Sequence, residues 1–188
     1  MVENKQLILF LGLTGSGKST MINYILGHRF EFDDESGEVQ PVNKHIALPV
    51  FADSLASSTT SYPATYPLFE KSPISLCDSP GLGDTRSEET QVGISLCMDK
   101  VLNQATTTIR AAIVVIDYPS LVAEKSARFK KLLASLAEML TAINACGSSL
   151  FFVYNRLARG VKQNYILKKL NDLLETQEIK QSQKTSNV

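Results

Sequence analysis

A glycine-rich segment near the amino terminus has the residue types and spacing of a phosphate-binding loop. Gly12-Leu-Thr-Gly-Ser-Gly-Lys-Ser19 satisfies the pattern G-x-x-x-x-G-K-[ST], in which glycines let backbone amides turn inward around a phosphate. Such amides form an anion-binding nest at the start of a helix, where the helix dipole also favours negative charge. The spacing predicts that Lys18 reaches the β- and γ-phosphates of a nucleotide and that the Ser19 hydroxyl ligates Mg²⁺. The residues expected to hold the nucleotide here are Gly12, Thr14, Gly15, Ser16, Gly17, Lys18, Ser19 and Thr20.

A second motif, Asp78-Ser-Pro-Gly81, stands at the end of an apolar run that is typical of a strand. Taken alone, D-x-P-G is the sequence of an ordinary turn, which is the alternative interpretation. It follows the glycine-rich segment by one predicted hairpin, and this combination favours a functional role. In that setting we expect the Asp78 carboxylate to hold Mg²⁺ through water and the Gly81 amide to sense a γ-phosphate.

Apolar runs alternate with helical patterns along the rest of the chain. An acidic segment without periodicity, Glu31–Glu38, is predicted to be a solvated loop. Strands that alternate with helices favour an α/β fold of three layers with a mostly parallel sheet. The predicted strands are Gln6–Leu11, His45–Phe51, Ala64–Phe69, Pro73–Cys77, Ala111–Ile116 and Ser149–Tyr154. The predicted helices are Lys18–Leu26, Ser87–Ala105, Leu121–Ile143 and Val161–Leu174.

The composition of the 188 residues limits the class of protein. Lys and Arg total 19 and Asp and Glu total 19, so no basic excess favours binding to nucleic acid or to an anionic membrane. No apolar run has the ~18–20 residues of a membrane span, and Met1–Gln6 shows no secretory signal pattern. Cys77, Cys97 and Cys146 are odd in number and widely spaced, which favours reduced thiols. We therefore expect a cytoplasmic protein without a transmembrane segment.

The two motifs together resemble those of P-loop GTPases of the translation-factor-related class. The runs GLTGSGKSTMINYILG and DSPGLGDT are most similar to the septin and immunity-associated GTPase branch, and the resemblance covers roughly Gln6–Asn155. It implies a Ras-like G-domain that binds GTP or GDP together with Mg²⁺. The threonine of the family's switch I, which completes the coordination of Mg²⁺, corresponds to Thr60, with Thr59 as the alternate. The resemblance implies catalytic roles for Lys18, Thr60 and Gly81 and a metal site of Ser19, Thr60 and Asp78.

Two positions depart from the pattern of this family. Where its guanine-reading motif N-K-x-D should stand, the chain has Asn155-Arg-Leu-Ala158. Asn155 and Arg156 can take the parts of the Asn and Lys, with the Arg stem packing on the base, but Ala158 has no carboxylate to pair with guanine. The choice between GTP and ATP therefore stays open. Leu82 occupies the place where some GTPases carry a glutamine that orients water, so intrinsic hydrolysis should be slow.

Several functions are compatible with these residues. The leading hypothesis is a slow, Mg²⁺-dependent GTPase that acts as a molecular switch and whose site is completed by dimerisation or by a protein partner. The alternatives are a non-hydrolysing nucleotide-binding scaffold and an ATP-binding variant; a kinase is disfavoured because the sequence has no basic lid segment.

Two side chains have two possible interpretations each. Arg86 is either a switch arginine or a solvated side chain, and Asp117 lies either at the ligand edge of the sheet or in a helix cap.

The end of the chain differs from what the resemblance implies, which is a sixth strand followed by a closing helix. No such strand follows Leu174, so the sequence predicts a GTPase-like domain over residues 1–176, with an unmatched insertion at about 28–55, and a polar flexible tail over 177–188. Ser149–Tyr154 would then be an edge strand, which proteins normally cover. We expect either a longer protein, or a partner or second copy that closes the sheet.

Overall fold

The computed structural model of the chain describes residues 5–35, 38–43, 48–50, 62–82, 107–143, 149–157 and 160–172. Its first strand, β1 (Lys5–Gly12), contains the predicted apolar run, and its central side chains are fully buried. The first helix, α1 (Lys18–Ile25), begins directly after Gly17 and ends near Gly27, as predicted. The strand, loop and helix that a phosphate-binding loop requires are therefore present in the expected order.

The acidic segment after α1 is a β-hairpin, so the prediction of a solvated loop over Glu31–Glu38 was wrong. Strand β2 (Phe30–Asp33) pairs antiparallel with β3 (Glu38–Pro41), and together they form a separate two-stranded sheet. Apolar and polar residues alternate along both strands, as in a sheet with one apolar face. Each strand has only four residues, which is too short for this alternation to stand out among five acidic residues.

The main sheet has five strands and is mostly parallel, which confirms the predicted fold class. Its order is β4–β5–β1–β6–β7; β4 and β5 run antiparallel, and every other neighbouring pair is parallel. The parallel arrangement brings the carboxyl ends of β1, β5, β6 and β7 to one edge, where the predicted motifs lie. The bounds of the remaining strands are β4 Ala64–Pro67, β5 Ile74–Asp78, β6 Thr107–Asp117 and β7 Ser149–Asn155.

Helix α1 is fixed to the sheet by a buried apolar cluster. Phe10, Ile22 and Val115 belong to this cluster, together with Leu76 and Val50, and each of them is at most 2% exposed. Because β1, β5 and β6 contribute to the same cluster, the phosphate-binding loop is anchored on both sides. The thiol of Cys77 is also buried and free, as predicted, and burial raises its pKa to about 12.

The helical segment after β6 is interrupted, so the prediction of one continuous helix over Leu121–Ile143 was wrong. A short helix, α2 (Tyr118–Val122), is followed by a single 3₁₀ turn, Ala123–Ser126, and then by α3 (Ala127–Ile143). Ser126 has a φ of 62°, which breaks the regular helix, and its hydroxyl donates to the Leu121 carbonyl. Hydroxyls of this kind compete with helical hydrogen bonds and favour a turn.

Asp117 caps α2, as one of the two interpretations of this residue predicted. Its side chain accepts a hydrogen bond of 3.2 Å from the backbone amide of Ser120. A carboxylate at this position stabilises a helix amino terminus through both the hydrogen bond and the helix dipole. The same residue ends β6 and is buried, so it also lies at the edge of the sheet that carries the motifs.

The last strand, β7, is at the edge of the main sheet within the described part of the chain, as predicted. Its two phenylalanines are not buried: Phe151 is 54% and Phe152 46% exposed. An edge strand with two exposed aromatic side chains invites a contact with another chain.

The chain divides into two compact units, Met1–Arg156 and Leu157–Val188. The second unit contains a helix, α4, over residues 163–172, within the predicted helix Val161–Leu174. Among the described residues, no helix is long and apolar enough to cross a membrane.

Several predicted features lie outside the described residues. They include Thr59, Thr60, Arg86, Cys97, Cys146, Ala158, the predicted helix Ser87–Ala105 and most of the predicted strand His45–Phe51. Of that strand, residues 48–50 are described, and they do not form a strand.

Candidate nucleotide-binding site

The glycine-rich loop delivers the amino terminus of α1 to the carboxyl edge of the sheet. Gly17 is the residue before the helix, with a φ of 94°, a conformation that other residues adopt only with strain. Gly17 gives the helix no side-chain cap, and the first turn of α1 contains no acidic residue. The first amides of the helix and its dipole are therefore left to act on an anion. One amide of the loop is used internally, since Ser16 N–H donates to the Leu13 carbonyl at 3.2 Å.

Lys18 is folded over this loop and buried. Its Nζ donates to the carbonyls of Gly12, at 3.2 Å, and Leu13, at 3.0 Å, and the residue is only 6% exposed. Burial lowers the pKa of Lys18 from 10.5 to about 8, although the nearby carboxylates of Asp78 and Asp117 act in the opposite direction. The ammonium group is thus charged at neutral pH but incompletely solvated, which favours an anionic ligand.

Ser19 and Asp78, the two predicted metal ligands that the structure describes, lie side by side. The Ser19 hydroxyl donates a hydrogen bond of 2.7 Å to Asp78 Oδ2, and Asp78 is almost fully buried. Hydroxyl and carboxylate oxygens are the protein ligands that suit Mg²⁺. The pair comes from residues 59 positions apart, which the parallel pairing of β1 and β5 brings together.

The D-x-P-G segment is held against the glycine-rich loop. The Leu82 amide donates to the Gly12 carbonyl at 2.9 Å, and Leu82 and Leu13 form an isolated parallel bridge. A Cβ on Gly81 would stand 2.2 Å from Thr14 Oγ1 and 2.6 Å from the Thr14 backbone, so only glycine fits there. Because the two are in contact, a ligand that moves the glycine-rich loop must also move the D-x-P-G segment.

Asn155 connects the end of β7 to the same loop. Its side-chain Nδ2 donates to the Ser16 carbonyl at 3.1 Å, and its Oδ1 accepts from the Arg156 amide at 2.8 Å. Arg156 itself is exposed and has a φ of 55°. The structure thus brings Asn155 to the phosphate loop as a brace, whereas Arg156, the other predicted base-contacting residue, is exposed beside it.

Two buried hydroxyls in the loop suit an anionic ligand. Thr14 Oγ1 and Ser16 Oγ are both inaccessible to solvent and lack a hydrogen-bond partner within the described part of the chain. A buried hydroxyl without a partner costs about 1–3 kcal/mol, and an incoming acceptor recovers that cost. Phosphate oxygens are such acceptors.

Residues 7–156 match the sequence profile of the family described as 50S ribosome-binding GTPase. The chain belongs to this GTPase family. The match covers every site residue described above, from Gly12 to Arg156, and establishes a P-loop GTPase domain.

A solved structure supports the fold of this GTPase. The signal recognition particle receptor SRb-GTP/SRX complex from Chaetomium thermophilum is similar over 94% of this chain and 81% of that chain, with a TM-score of 0.52. The two sequences are 16% identical, so the likeness concerns the fold. No match to a curated protein was found.

Two residues of the GTPase that position the site were not predicted. Ser79 occupies the variable place of D-x-P-G, yet it is fully buried and its hydroxyl donates to the Phe10 carbonyl at 2.5 Å. Asn23, on α1, is buried as well and makes two hydrogen bonds with the Val50 backbone, at 2.7 and 3.1 Å. Neither has a signal in the sequence, because a serine in a turn and an asparagine in a helix are ordinarily solvated.

Proposed function

We propose that this GTPase binds GTP with Mg²⁺ at the loop Gly12–Thr20, hydrolyses it slowly and acts as a molecular switch. The observation that carries the proposal is the contact of Ser19 with Asp78, at 2.7 Å, beside the buried ammonium of Lys18. Two oxygen atoms of the kind that suits Mg²⁺ and one buried positive charge therefore lie together near the start of α1, which supports the proposal. Phosphoryl transfer depends largely on positioning and charge neutralisation of this kind.

The residues present fit a nucleotide with its metal ion. Mg²⁺, when bound, neutralises the charge of the β- and γ-phosphates. Ser19 and Asp78 would hold the ion, with Thr60 as the third protein ligand. The phosphates would be bound by Lys18 and by the backbone of Thr14, Gly15, Ser16, Gly17 and Thr20, and the buried hydroxyls of Thr14 and Ser16 would gain an acceptor.

Slow hydrolysis is supported by the environment of Leu82. This side chain is aliphatic and only 8% exposed, and the Leu82 amide is held by the Gly12 carbonyl. It cannot orient a water molecule for attack, so the group that does so must come from elsewhere. Completion of the site by a second copy or by a partner protein is part of the proposal.

The switch would operate through the contact between the D-x-P-G segment and the loop. Gly81 packs on Thr14 without space for a Cβ, so a γ-phosphate reaching the Gly81 amide would change this contact. Thr60 would respond to the same phosphate, and hydrolysis would release both. Lys18, Thr60 and Gly81 are therefore the residues to which we assign the hydrolytic step.

Guanine is the base that the family implies, and we propose that Arg156 packs on it while Asn155 braces the phosphate loop. Ala158 supplies no carboxylate, so ATP binding with relaxed base preference is the variant of this proposal. We further place the protein in the translation-factor-related class, in the septin and immunity-associated branch. The support for this branch is the pair of sequence runs around Gly12–Ser19 and Asp78–Gly81.

The exposed edge strand supports a protein partner. Phe151 and Phe152 lie on β7 and are about half exposed, so a partner or a second copy covering this edge would bury them. In this proposal residues 1–176 are the GTPase domain, 28–55 its insertion and 177–188 a polar tail. A cytoplasmic location is part of it and is supported by the free thiol of Cys77.

A non-hydrolysing nucleotide-binding scaffold is the second candidate, and the aliphatic Leu82 favours it. Single-turnover release of phosphate from GTP, measured over a range of protein concentrations, distinguishes the two. Turnover that rises with protein concentration or with added partner supports the switch. Phosphate release no faster than in the Lys18→Ala variant, at every concentration, supports the scaffold.

A further inference from the structure

The β2–β3 hairpin has two chemically different faces. The register pairs Phe30 with Pro41 and Phe32 with Val39, whereas Glu31 pairs with Gln40. Because successive side chains of a strand point to opposite faces, the two apolar pairs share one face and the pair of Glu31 and Gln40 lies on the other. We call Phe30, Phe32, Val39 and Pro41 the apolar face of the hairpin.

The outer half of this apolar face is exposed. Phe32 is 62% and Val39 53% exposed. Phe30 and Pro41, at the inner half, are partly buried. A two-stranded hairpin is marginally stable unless its apolar face packs on something, and contiguous exposed apolar residues mark contact sites. The face therefore has the character of a surface that is covered in a complex.

Hydrogen bonds join the two strands of the hairpin at its base and on its polar face. Val42 N–H donates to the Arg29 carbonyl at 3.0 Å, which closes its base. On the polar face Asp33 accepts hydrogen bonds of 3.0 Å from the Gln40 side chain and from the Glu35 amide. Such preorganisation lowers the entropic cost of binding.

A cavity of about 250 Å³ adjoins the inner end of the apolar face. Pro41, Val42, Leu48 and Gly27 line it together with His28, Arg29 and Asn43. An apolar side chain from a partner that lies along the face can enter it as an anchor.

The charge around this face identifies the chemistry of the occupant. Residues 30–41 contain five acidic residues and no basic one, although the whole chain has no net charge and Arg29 directly precedes the hairpin. Of the acidic residues, Glu31 and Asp33 lie on the face opposite to the apolar one. Asp34 and Glu35 are exposed at the tip of the hairpin. Two copies meeting face to face would bring like charges together, and an anionic membrane would be repelled. A cationic partner is attracted.

We propose that the apolar face of the β2–β3 hairpin docks a basic amphipathic segment of another protein. Its apolar side chains cover Phe32 and Val39 and enter the cavity beside Pro41, and its Lys or Arg side chains pair with Asp34 and Glu35. The proposal rests on the hairpin alone and does not depend on nucleotide binding.

The test uses the full chain and a fluorescently labelled synthetic peptide. The peptide is an amphipathic helix with Leu and one Phe on its apolar face and Lys on its polar face. Anisotropy titration should show binding that weakens about tenfold in Phe32→Ser, because a buried aromatic anchor is worth at least about 1.4 kcal/mol. Phe69→Ser is the matched control, since Phe69 is equally exposed at 62% but lies in the β4–β5 connection. It should bind like the wild type.

Charge reversal provides an independent arm. The pair Asp34→Lys and Glu35→Lys should weaken binding and remove its salt dependence, whereas Glu70→Lys should not. A peptide with Glu in place of Lys should fail to bind. Lys18→Ala should bind the peptide normally, so that failure of this proposal and failure of nucleotide binding are told apart.

Three results would overturn the proposal. They are equal binding by Phe32→Ser and Phe69→Ser, equal binding of the Glu-containing peptide, and a lack of binding by the wild type. Sedimentation that reveals a dimer dissociated by Phe32→Ser would assign the face to a second copy instead. Circular dichroism of each variant verifies that it is folded.

Discussion

The side-chain amide of Asn155 donates a hydrogen bond of 3.1 Å to the backbone carbonyl of Ser16. This contact joins the carboxyl end of β7 to the glycine-rich loop across 139 positions of sequence. Two hydrogen bonds therefore hold the loop. Asn155 bonds to Ser16 on one side, and the Leu82 amide donates to the Gly12 carbonyl on the other. A site that must hold several phosphate oxygens benefits from such rigidity.

Asn155→Ala should destabilise the protein and weaken nucleotide binding together. Loss of the hydrogen bond to Ser16 costs about 1 kcal/mol in the free energy of unfolding, measured by urea titration. Nucleotide affinity should fall because the loop carbonyl is no longer held. Asn164→Ala, in the exposed part of α4, is the control, and a stability and affinity loss no larger than in that variant would refute the brace.

Gly17→Ala should cost more stability than Gly27→Ala. The two glycines have nearly the same positive φ, 94° and 95°, so alanine is strained by about 1 kcal/mol at each. Only at Gly17 does the new Cβ meet a neighbour, since it would lie 2.3 Å from Asn155 Nδ2, whereas nothing lies within 4 Å at Gly27. The additional loss in the free energy of unfolding at Gly17 should therefore be about 1 kcal/mol, the contribution of the hydrogen bond between Asn155 and Ser16.

A double-mutant cycle isolates this effect. In an Asn155→Ala background the unfolding free energies lost by Gly17→Ala and Gly27→Ala should become equal, because the colliding amide is absent. A difference that persists would place the strain elsewhere in the loop.

Nucleotide affinity should decrease as the pH rises above about 8. Burial holds the pKa of Lys18 at about 8 in the ligand-free protein, and phosphate binding requires its charged form. Above that pH the free protein must take up a proton to bind, so affinity falls by up to about tenfold per pH unit. Titration calorimetry at pH 7.5 and 8.8 measures this, and Lys131→Ala, with an exposed lysine changed, should keep the same dependence. A flat profile would contradict the assignment.

The stability of the ligand-free protein should change in the opposite direction. The pKa of Lys18 is lower in the folded state than in the unfolded state, so the unfolded state binds more protons between about pH 8 and 10.5. The penalty for the buried charge is fully present below pH 8 and is relieved as the pH rises. The free energy of unfolding of the wild type should therefore rise relative to that of Lys18→Met over this range.

Ala158→Asp should increase the preference for GTP over ATP. The introduced carboxylate can accept hydrogen bonds from the N1 and N2 donors of guanine, which adenine lacks at these positions, and we expect a gain of at least about tenfold in the affinity ratio. Competition titrations with both nucleotides measure that ratio. Ala158→Asn is the control of equal size, and an unchanged ratio in Ala158→Asp would show that this position does not face the base.

The strand, loop and helix that carry the glycine-rich motif could be predicted because local and global signals agree. The apolar run of β1, the glycines and the start of α1 are contiguous in sequence, so a motif captures them. The contact of Ser19 with Asp78 agrees with the rule that the carboxyl ends of parallel strands meet at one edge, although the sequence did not predict that the two side chains bond to each other.

Three features of the structure could not be predicted from the sequence. The four-residue strands of the β2–β3 hairpin are too short for their alternation to be distinguished from a polar loop. The break at Ser126 depends on a single positive φ and a hydrogen bond to Leu121, which the apolar spacing of α3 conceals. The exposure of Phe151 depends on what packs on that face of the sheet at β7, and the residues of the strand do not specify this.

Titration of GTP with Mg²⁺ into the ligand-free protein, by calorimetry, tests the central claim most directly. The wild type and Lys131→Ala should bind GTP with the same affinity. Lys18→Ala should show no measurable binding, because the substitution removes the buried ammonium group that lies over the loop. GTP affinity in Lys18→Ala equal to that of the wild type would contradict the account.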